Sequence, residues 1–118
     1  MEFIPTPIPG LVLYEPRVFQ DDRGHFFESF NEALFSSQGI VGSFVQDNQS
    51  ISKKGVIRGL HLQRPPYAQG KLVRVVHGAV LDVVVDLRKA SSTFGRHYSI
   101  ELNDRNHRML WIPPGFAH

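Results

Sequence analysis

The sequence contains no cysteine, and this absence removes several kinds of site at once. Disulfides, zinc sites with cysteine ligands and thiol nucleophiles are all excluded. A chain without disulfides fits a reducing compartment, and we expect a cytoplasmic protein. The N-terminal residues also lack the basic region and the long apolar core of a signal peptide.

Long apolar runs and concentrated charge are missing as well. No run approaches the roughly 20 apolar residues of a membrane-spanning helix, so we expect no membrane partner. Lys and Arg number 13 against 11 Asp and Glu, for a net charge of +2. These cations are scattered and form no stripe with aromatic residues, so nucleic acid is not an expected partner either. A binding site for one small anion needs only a few cations, so it fits this net charge better than a nucleic-acid surface does.

The residues that are present predict one folded domain. The length of 118 residues, with 42% hydrophobic and 20% charged, suits a single domain with a real core. Residues 1–10 carry three prolines and predict an extended arm. Ser29 and Glu32 resemble a capping box for one short helix ending near Gly39. The chain stops abruptly after a turn-like motif, so we expect it to be incomplete at its C-terminus.

The remaining pattern is that of β-strands separated by regular turn signals. Alternation and β-branched content predict strands at residues 11–19, 25–30, 44–50, 56–62, 71–76, 80–87, 97–102 and 108–112. Short strands with almost no helix favour an all-β barrel or sandwich. Asp82, Val84 and Asp86 should share one face of their strand. Asp82 could hold a histidine in its working tautomer, or lie at the surface.

Residues 58–71 concentrate chemistry in one short segment. Arg58 offers a fork for phosphate or carboxylate, His61 can move protons near neutral pH, and Lys71 adds a compact cation. Taken singly, each of these residues could be an ordinary surface or core residue. Taken together, they predict proton chemistry on an anionic ligand. Strand alternation places Arg58 and His61 on opposite faces. Either Gly59 permits a local irregularity, or Arg58 serves a neighbouring site.

Two further groups of polar residues are weaker candidates. Glu28 shares a strand face with Phe26 and Phe30, so it lies at a strand margin or contacts a ligand. Gln46 and Asn48 follow one face of the next predicted strand. Uncharged polar side chains in line can recognise a nucleobase, or they can simply face solvent.

Several motifs together resemble one enzyme family. They are Arg58-Gly-Leu-His61-Leu-Gln63, Ala68-Gln-Gly-Lys71-Leu-Val-Arg74-Val, Asp82-Val-Val-Val-Asp86-Leu-Arg88, Ser92-Thr-Phe-Gly95 and Trp111-Ile-Pro-Pro-Gly-Phe-Ala-His118. This set is similar to the dTDP-4-dehydrorhamnose 3,5-epimerases, often called RmlC, from about Ile8 onward.

The resemblance implies a fold and an assembly. We expect a cupin-like jelly-roll barrel, all-β, with a short N-terminal helix and an extended N-terminal arm. One domain would cover residues 1–118, with arm and outer strands in 1–50 and the barrel core in 51–118. The family is a homodimer that exchanges N-terminal strands. Gln63 stands where metal-binding cupins carry a second histidine, so the resemblance implies neither a metal nor another cofactor.

The resemblance also implies roles for residues. The family inverts C3 and C5 of dTDP-4-dehydro-6-deoxy-D-glucose on the way to dTDP-L-rhamnose. His61 would be the base and Lys71 would stabilise the oxyanion at C4. By the resemblance, Arg23 and Arg58 would bind the pyrophosphate of the substrate. Glu28, Gln46 and Asn48 would contact the thymidine part, with Phe26 packing nearby, and His118 matches a histidine at the substrate site.

The resemblance implies that some functional groups lie outside these 118 residues or in a partner subunit. The family's tyrosine acid and the aspartate that pairs with its histidine would both fall after His118, and some nucleotide contacts would come from the partner subunit. Three other interpretations stay open: a related deoxysugar 5-epimerase or ketoisomerase, a metal-dependent cupin oxygenase, and a dTDP-binding fragment without activity.

Overall fold

The computed structural model describes residues 2–118, and these form nine strands and one short helix. The prediction of an all-β chain with a single short helix is confirmed. No helix in this part of the chain is long and apolar enough to cross a membrane. The elements are β1 Glu2–Pro5, β2 Val12–Glu15, β3 Phe19–Asp21, β4 Gly24–Phe26, α1 Glu32–Ser37, β5 Lys71–Arg74, β6 Ala79–Asp86, β7 His97–Asn103, β8 Met109–Ile112 and β9 Phe116–Ala117.

The strands form two antiparallel sheets and a separate hairpin. The larger sheet has the order β1-β2-β8-β5, and the smaller has the order β7-β6-β9. Strands β3 and β4 pair only with each other among the described residues. The residues predicted as an extended arm form β1, which pairs with β2. The turn-like C-terminal residues include β9, which pairs with β6.

Two apolar clusters lie on opposite faces of the larger sheet. Leu13 and Leu110 face each other across β2 and β8 in the first cluster, while the next pair, Tyr14 and Met109, belongs to the second. This follows from the two-residue period of a strand. The first cluster fills the space between the two sheets, and its members are Ile8, Leu11, Leu13, Val84, Leu102, Leu110, Ile112 and Phe116. The core therefore draws on residues from both 1–50 and 51–118.

Helix α1 covers the second cluster through Phe35. Phe35 is buried together with Tyr14 and Met109. The helix begins two residues later than the capping box at Ser29 predicted, because Asn31 is the N-cap. Its side-chain Oδ1 accepts the backbone N–H of Leu34 at 3.1 Å, which satisfies a donor that the helix itself cannot.

A polar cluster joins the smaller sheet to the loop after β6. Asp86 is fully buried, and its Oδ1 accepts the Nε–H of Arg88 at 3.0 Å. Its Oδ2 accepts the hydroxyls of Ser91 and Thr93 at 2.6 Å each. The Arg88 guanidinium and these bonds hold the pKa of Asp86 well below its usual range, although burial opposes this. Arg88 also lies over the ring of Phe116 at 4.6 Å, which ties β9 to this cluster.

The strands predicted at residues 44–50 and 56–62 are wrong. Both stretches are irregular and exposed in the structure. Their alternation of apolar and polar residues is typical of strands, but a strand also needs a neighbour for its backbone groups. No sheet ladder reaches either stretch among residues 2–118. Ile51 and Ile57 are consequently 92% exposed.

Candidate active site

The candidate site begins with two histidines that are far apart in sequence and directly paired in space. The His61 N–H donates to the His118 carbonyl at 2.7 Å, and the His118 N–H donates to the His61 carbonyl at 3.0 Å. Residues that exchange both backbone bonds lie directly opposite each other. His61 and His118 thus form a backbone-bonded pair immediately after β9.

Asp82 adds a carboxylate to this pair. Continuing the register of β6 and β9 places His118 opposite Val84, so Asp82 is its diagonal neighbour on the same face. The Nε2 atom of His118 lies 2.5 Å from Oδ1 of Asp82, a short hydrogen bond. Asp82 is only 6% exposed, and its Oδ2 is buried without a hydrogen-bond partner in the described chain.

Lys71 opens β5 on the inner face of the other sheet. It lies opposite Ile112, and Val73 lies opposite Leu110. Ile112 and Leu110 belong to the cluster between the sheets, and Val73 packs against it. Lys71 therefore shares the inner face with these residues, as the two-residue alternation predicts. The smaller sheet presents Val84 to the same cluster, so Lys71 and Asp82 stand on facing sheets.

Gly59 allows the His61 segment to approach β9. Its φ of +97° lies in the left-handed region that favours glycine. A Cβ atom at this position would lie 2.9 Å from the carbonyl oxygen of His118. The local irregularity considered for Gly59 is thus present. It brings the backbone of residues 59–61 against the end of β9.

The side chain of Arg58 is turned toward the loop that precedes it. Its Nε donates to the Ser52 hydroxyl at 2.9 Å, and its Nη2 donates to the Ile51 carbonyl at 3.4 Å. Both contacts are exposed, and neither involves His61. Arg58 is therefore next to the histidine pair along the chain, with its guanidinium held on the 51–52 loop.

The remaining predicted substrate contacts form no hydrogen bond, ion pair or ring contact with His61 within residues 2–118. Arg23 forms an exposed ion pair with Asp21 at 2.6 Å, on the same hairpin as the exposed Phe26. Glu28 is exposed, and its backbone carbonyl accepts the Tyr14 hydroxyl at 3.2 Å. Gln46 donates to Asn48 at 3.2 Å on the exposed irregular segment.

One feature beside Lys71 was not predicted from the sequence. A shallow open depression is lined by Phe44, Gly70, Trp111 and their neighbours. Any side chain at Gly70 would overlap the indole of Trp111, and the ring of Phe44 lies edge-on to that indole at 5.9 Å. The single tryptophan within the C-terminal motif was the only sequence signal for this surface.

Tyr14 and the metal-ligating residue types add nothing to the site within residues 2–118. Tyr14 is buried in the second cluster, where burial and then the nearby Glu28 carboxylate raise its pKa. Within residues 2–118, no three His, Asp or Glu side chains gather in a way that could hold a metal ion.

Comparison with known proteins identifies the family. A sequence model of the dTDP-4-dehydrorhamnose 3,5-epimerases matches residues 5–118. The chain belongs to this family. The dTDP-4-dehydrorhamnose 3,5-epimerase of Shigella flexneri is 56% identical to it, over 100% of this chain and 66% of the relative.

Solved structures agree with this assignment. The Legionella pneumophila epimerase in complex with dTDP-4-keto-L-rhamnose superposes with a TM-score of 0.94 at 48% identity, over 99% of this chain and 62% of that one. ChmJ, a 3'-monoepimerase from Streptomyces bikiniensis in complex with dTDP-quinovose, superposes with a TM-score of 0.88 at 32% identity, over 97% of this chain and 58% of that one. The fold is therefore the expected cupin-like jelly roll. The chain spans a little under two thirds of the length of the Shigella flexneri and Legionella pneumophila relatives.

Proposed function

We propose that this chain belongs to a cofactor-free isomerase that converts dTDP-4-dehydro-6-deoxy-D-glucose to dTDP-4-dehydro-L-rhamnose, in the cytoplasmic synthesis of dTDP-L-rhamnose. The observation that carries the proposal is the His61–His118 pair, with Asp82 bound to His118 and Lys71 on the facing sheet. This arrangement supports a site that combines proton-handling groups with a cation. The relative with dTDP-4-keto-L-rhamnose bound supports the substrate class.

The chemistry needs only a base and a stabiliser of negative charge. The C4 ketone acidifies the protons on C3 and C5. His61 removes one of them, the electron pair of the C–H bond moves toward O4, and an enolate forms. The ammonium of Lys71 stabilises the negative oxygen, and a proton then returns to the carbon from the opposite face. In this proposal the returning proton comes from a tyrosine in the part of the relatives that continues past His118.

Nucleotide binding falls to the exposed residues. We assign Arg58 and Arg23 to the pyrophosphate, because a guanidinium offers paired donors to phosphate oxygens. The thymidine contacts would be Phe26, Glu28, Gln46 and Asn48, and His118 would contact the sugar. All but His118 lie on exposed surface, where a ligand can reach them without rearrangement of the core.

A second copy of the chain would explain how the hairpin residues reach the site. Arg23 and Phe26 lie on a hairpin that pairs with no other strand of residues 2–118, and Phe26 is exposed. Apolar residues of the irregular segment, such as Ile51 and Ile57, are exposed as well. We propose a homodimer in which the hairpin and residues 41–62 meet the partner. Each hairpin would then complete the site of the other subunit.

A second candidate is a related epimerase with a different stereochemical outcome. The 3'-monoepimerase ChmJ shares the fold at 32% identity, so this architecture also serves an enzyme that inverts one centre. The same histidine base would act in both cases. A dTDP-binding chain without catalysis is the remaining alternative.

Deuterium uptake tests these alternatives directly. The chain is incubated with dTDP-4-dehydro-6-deoxy-D-glucose in heavy water, and deuterium at C3 and C5 is measured by mass spectrometry and NMR. Uptake at both carbons with rhamno product supports the 3,5-epimerase, and uptake at one carbon supports a monoepimerase. Binding of dTDP without uptake at either carbon would overturn catalysis by these 118 residues.

His61→Ala should abolish uptake while dTDP binding, measured by calorimetry, is retained. The base would be lost, whereas the nucleotide contacts lie elsewhere. His77→Ala is the matched control, because the His77 side chain is 95% exposed on the turn before β6. Equal loss of binding and uptake in His61→Ala would mean that this histidine is structural.

A further inference from the structure

Strand β6 carries two buried aspartates on one face, and they differ in their partners. Asp82 and Asp86 are four residues apart, and both are nearly inaccessible. Both oxygens of Asp86 accept hydrogen bonds, from Arg88, Ser91 and Thr93. Asp82 has a single partner, the Nε2 atom of His118, and its second oxygen has none within residues 2–118.

This difference separates a carboxylate that stabilises the fold from one that does not. A buried carboxylate oxygen without a donor has lost its hydration and gained no replacement, which reduces stability. In Asp86, hydrogen bonds to both carboxylate oxygens replace the water lost on burial. In Asp82, only one of the two oxygens has such a bond. Burial of Asp82 is therefore not explained by folding. Its one side-chain hydrogen bond within residues 2–118 is to His118 of the candidate site.

We propose that Asp82 is a positioning residue that fixes the tautomer and orientation of the His118 imidazole. Nε2–H donates to the carboxylate, which leaves Nδ1 of the neutral ring as an acceptor. The His118 side chain remains 22% exposed, so a ligand can reach the ring. This proposal rests on the proposed function: the donor to Nδ1 would be a hydroxyl group of the bound deoxysugar.

The backbone pairing extends the effect to the base. His118 is directly opposite His61, and each holds the other's backbone. A His118 ring fixed by Asp82 would therefore hold the sugar at a set position relative to the His61 imidazole. Without the carboxylate, the ring could turn over or change tautomer, and the sugar would lose this contact. The consequence would be slower proton exchange in a chain that still folds.

Asp82→Asn tests the proposal, with Asp86→Asn as the matched control on the same strand face. The side-chain amide that Asp82→Asn introduces can donate to Nε2, which would move the imidazole proton of His118 to Nδ1. We expect nitrogen NMR shifts of His118 to report this exchange of tautomers in the neutral ring. Deuterium uptake should fall by about 10- to 100-fold, by analogy with the loss of a carboxylate partner from a metal-ligating histidine. The thermal midpoint should stay the same or rise.

The control should behave in the opposite way. Asp86→Asn removes a satisfied carboxylate, so its thermal midpoint should fall while the folded His118 keeps the wild-type tautomer. An unchanged tautomer in Asp82→Asn, or a loss of midpoint equal to that of Asp86→Asn, would overturn the proposal. The NMR measurement needs no substrate. If the wild-type chain shows no deuterium uptake, the proposed function of the chain fails, and the tautomer still decides the role of Asp82.

Discussion

At the scale of single residues, the site separates the cation from the imidazoles. The His61–His118 pair is on the side of the smaller sheet, and Lys71 is on the inner face of the larger sheet. A ketone held between the sheets could present its neighbouring protons to His61 and its oxygen to Lys71. This division suits a base and an oxyanion stabiliser, which act on different atoms of the substrate.

Replacing Lys71 by Met tests the oxyanion role. Methionine retains much of the apolar stem and removes the charge, so the fold should persist. We expect the rate of deuterium uptake to fall by about 10²- to 10³-fold, because one donor to the developing oxyanion is lost. Lys54→Met is the control, since Lys54 is exposed in an irregular turn. A similar fall in the uptake rate of both variants, or no fall in Lys71→Met, would mean that Lys71 does not stabilise the oxyanion.

At the scale of elements, the position of His61 depends on an irregular segment and not on a strand. Residues 56–62 have strand-like alternation but no strand geometry. The segment is held at the end of β9 by the two backbone bonds between His61 and His118. Gly59 makes this approach possible because it has no Cβ to meet the His118 carbonyl. The site is thus built where an irregular segment meets a short strand.

Gly59→Ala should disrupt this contact more than Gly55→Ala. Both glycines have positive φ, so alanine costs about 1 kcal/mol of backbone strain at either position. Only Gly59 adds a close approach to His118, whereas the space around Gly55 is open. We expect a larger loss of unfolding free energy in urea for Gly59→Ala. The His61 amide, which donates to His118, should also exchange with solvent faster. Equal effects of the two variants would mean that the contact is unimportant.

At the scale of the whole molecule, the Asp86 cluster makes stability depend on pH. The folded-state pKa of Asp86 is lowered by Arg88, so the ionised form contributes stability above the ordinary aspartate pKa of about 4. This contribution is lost as the pH falls through the folded-state value. Asp86→Asn leaves Arg88 partly buried without its anion and should cost about 3–5 kcal/mol at neutral pH.

The check is urea unfolding of both proteins at several pH values. The difference in unfolding free energy should be constant from pH 7 to about pH 5, and should narrow below about pH 4 as the wild type loses its ionised carboxylate. A difference that does not change with acid would show that the charge of Asp86 contributes nothing.

The exposed apolar surface is also a property of the whole molecule. A homodimer would cover exposed apolar residues of the hairpin and of residues 41–62, so we expect sedimentation velocity to show a dimer at micromolar concentrations. The double variant Ile51→Ser and Ile57→Ser should weaken dimerisation by at least about tenfold, since burial of each isoleucine is worth about 2 kcal/mol. Phe94→Ser, at an exposed position in the loop after β6, is the control. A monomeric wild type would contradict the proposal.

Local pattern was enough to predict several of the strands. The strands near residues 80–87, 97–102 and 108–112 are confirmed. Strand β6 is rich in β-branched residues, which favour extended backbone, and its buried residues follow the two-residue period of a strand. The shared faces of Lys71 with Val73, and of Asp82 with Val84 and Asp86, follow from the two-residue period alone. The family resemblance rested on motifs in several of these strands and also on the irregular residues 58–63 and the loop residues 92–95.

Contacts between distant residues could not be predicted in this way. The alternation at residues 44–50 and 56–62 resembles that of true strands, but backbone hydrogen bonding depends on which segments become neighbours. Nothing near His61 in the sequence indicates that it pairs with His118. The strand pattern allowed Asp82 to hold a histidine but did not indicate that this histidine is His118. These contacts exist because the sheets bring β6, β9 and the segment after Gly59 side by side. Residue types and their faces are local properties of the chain, whereas the partners of each side chain are set by long-range packing.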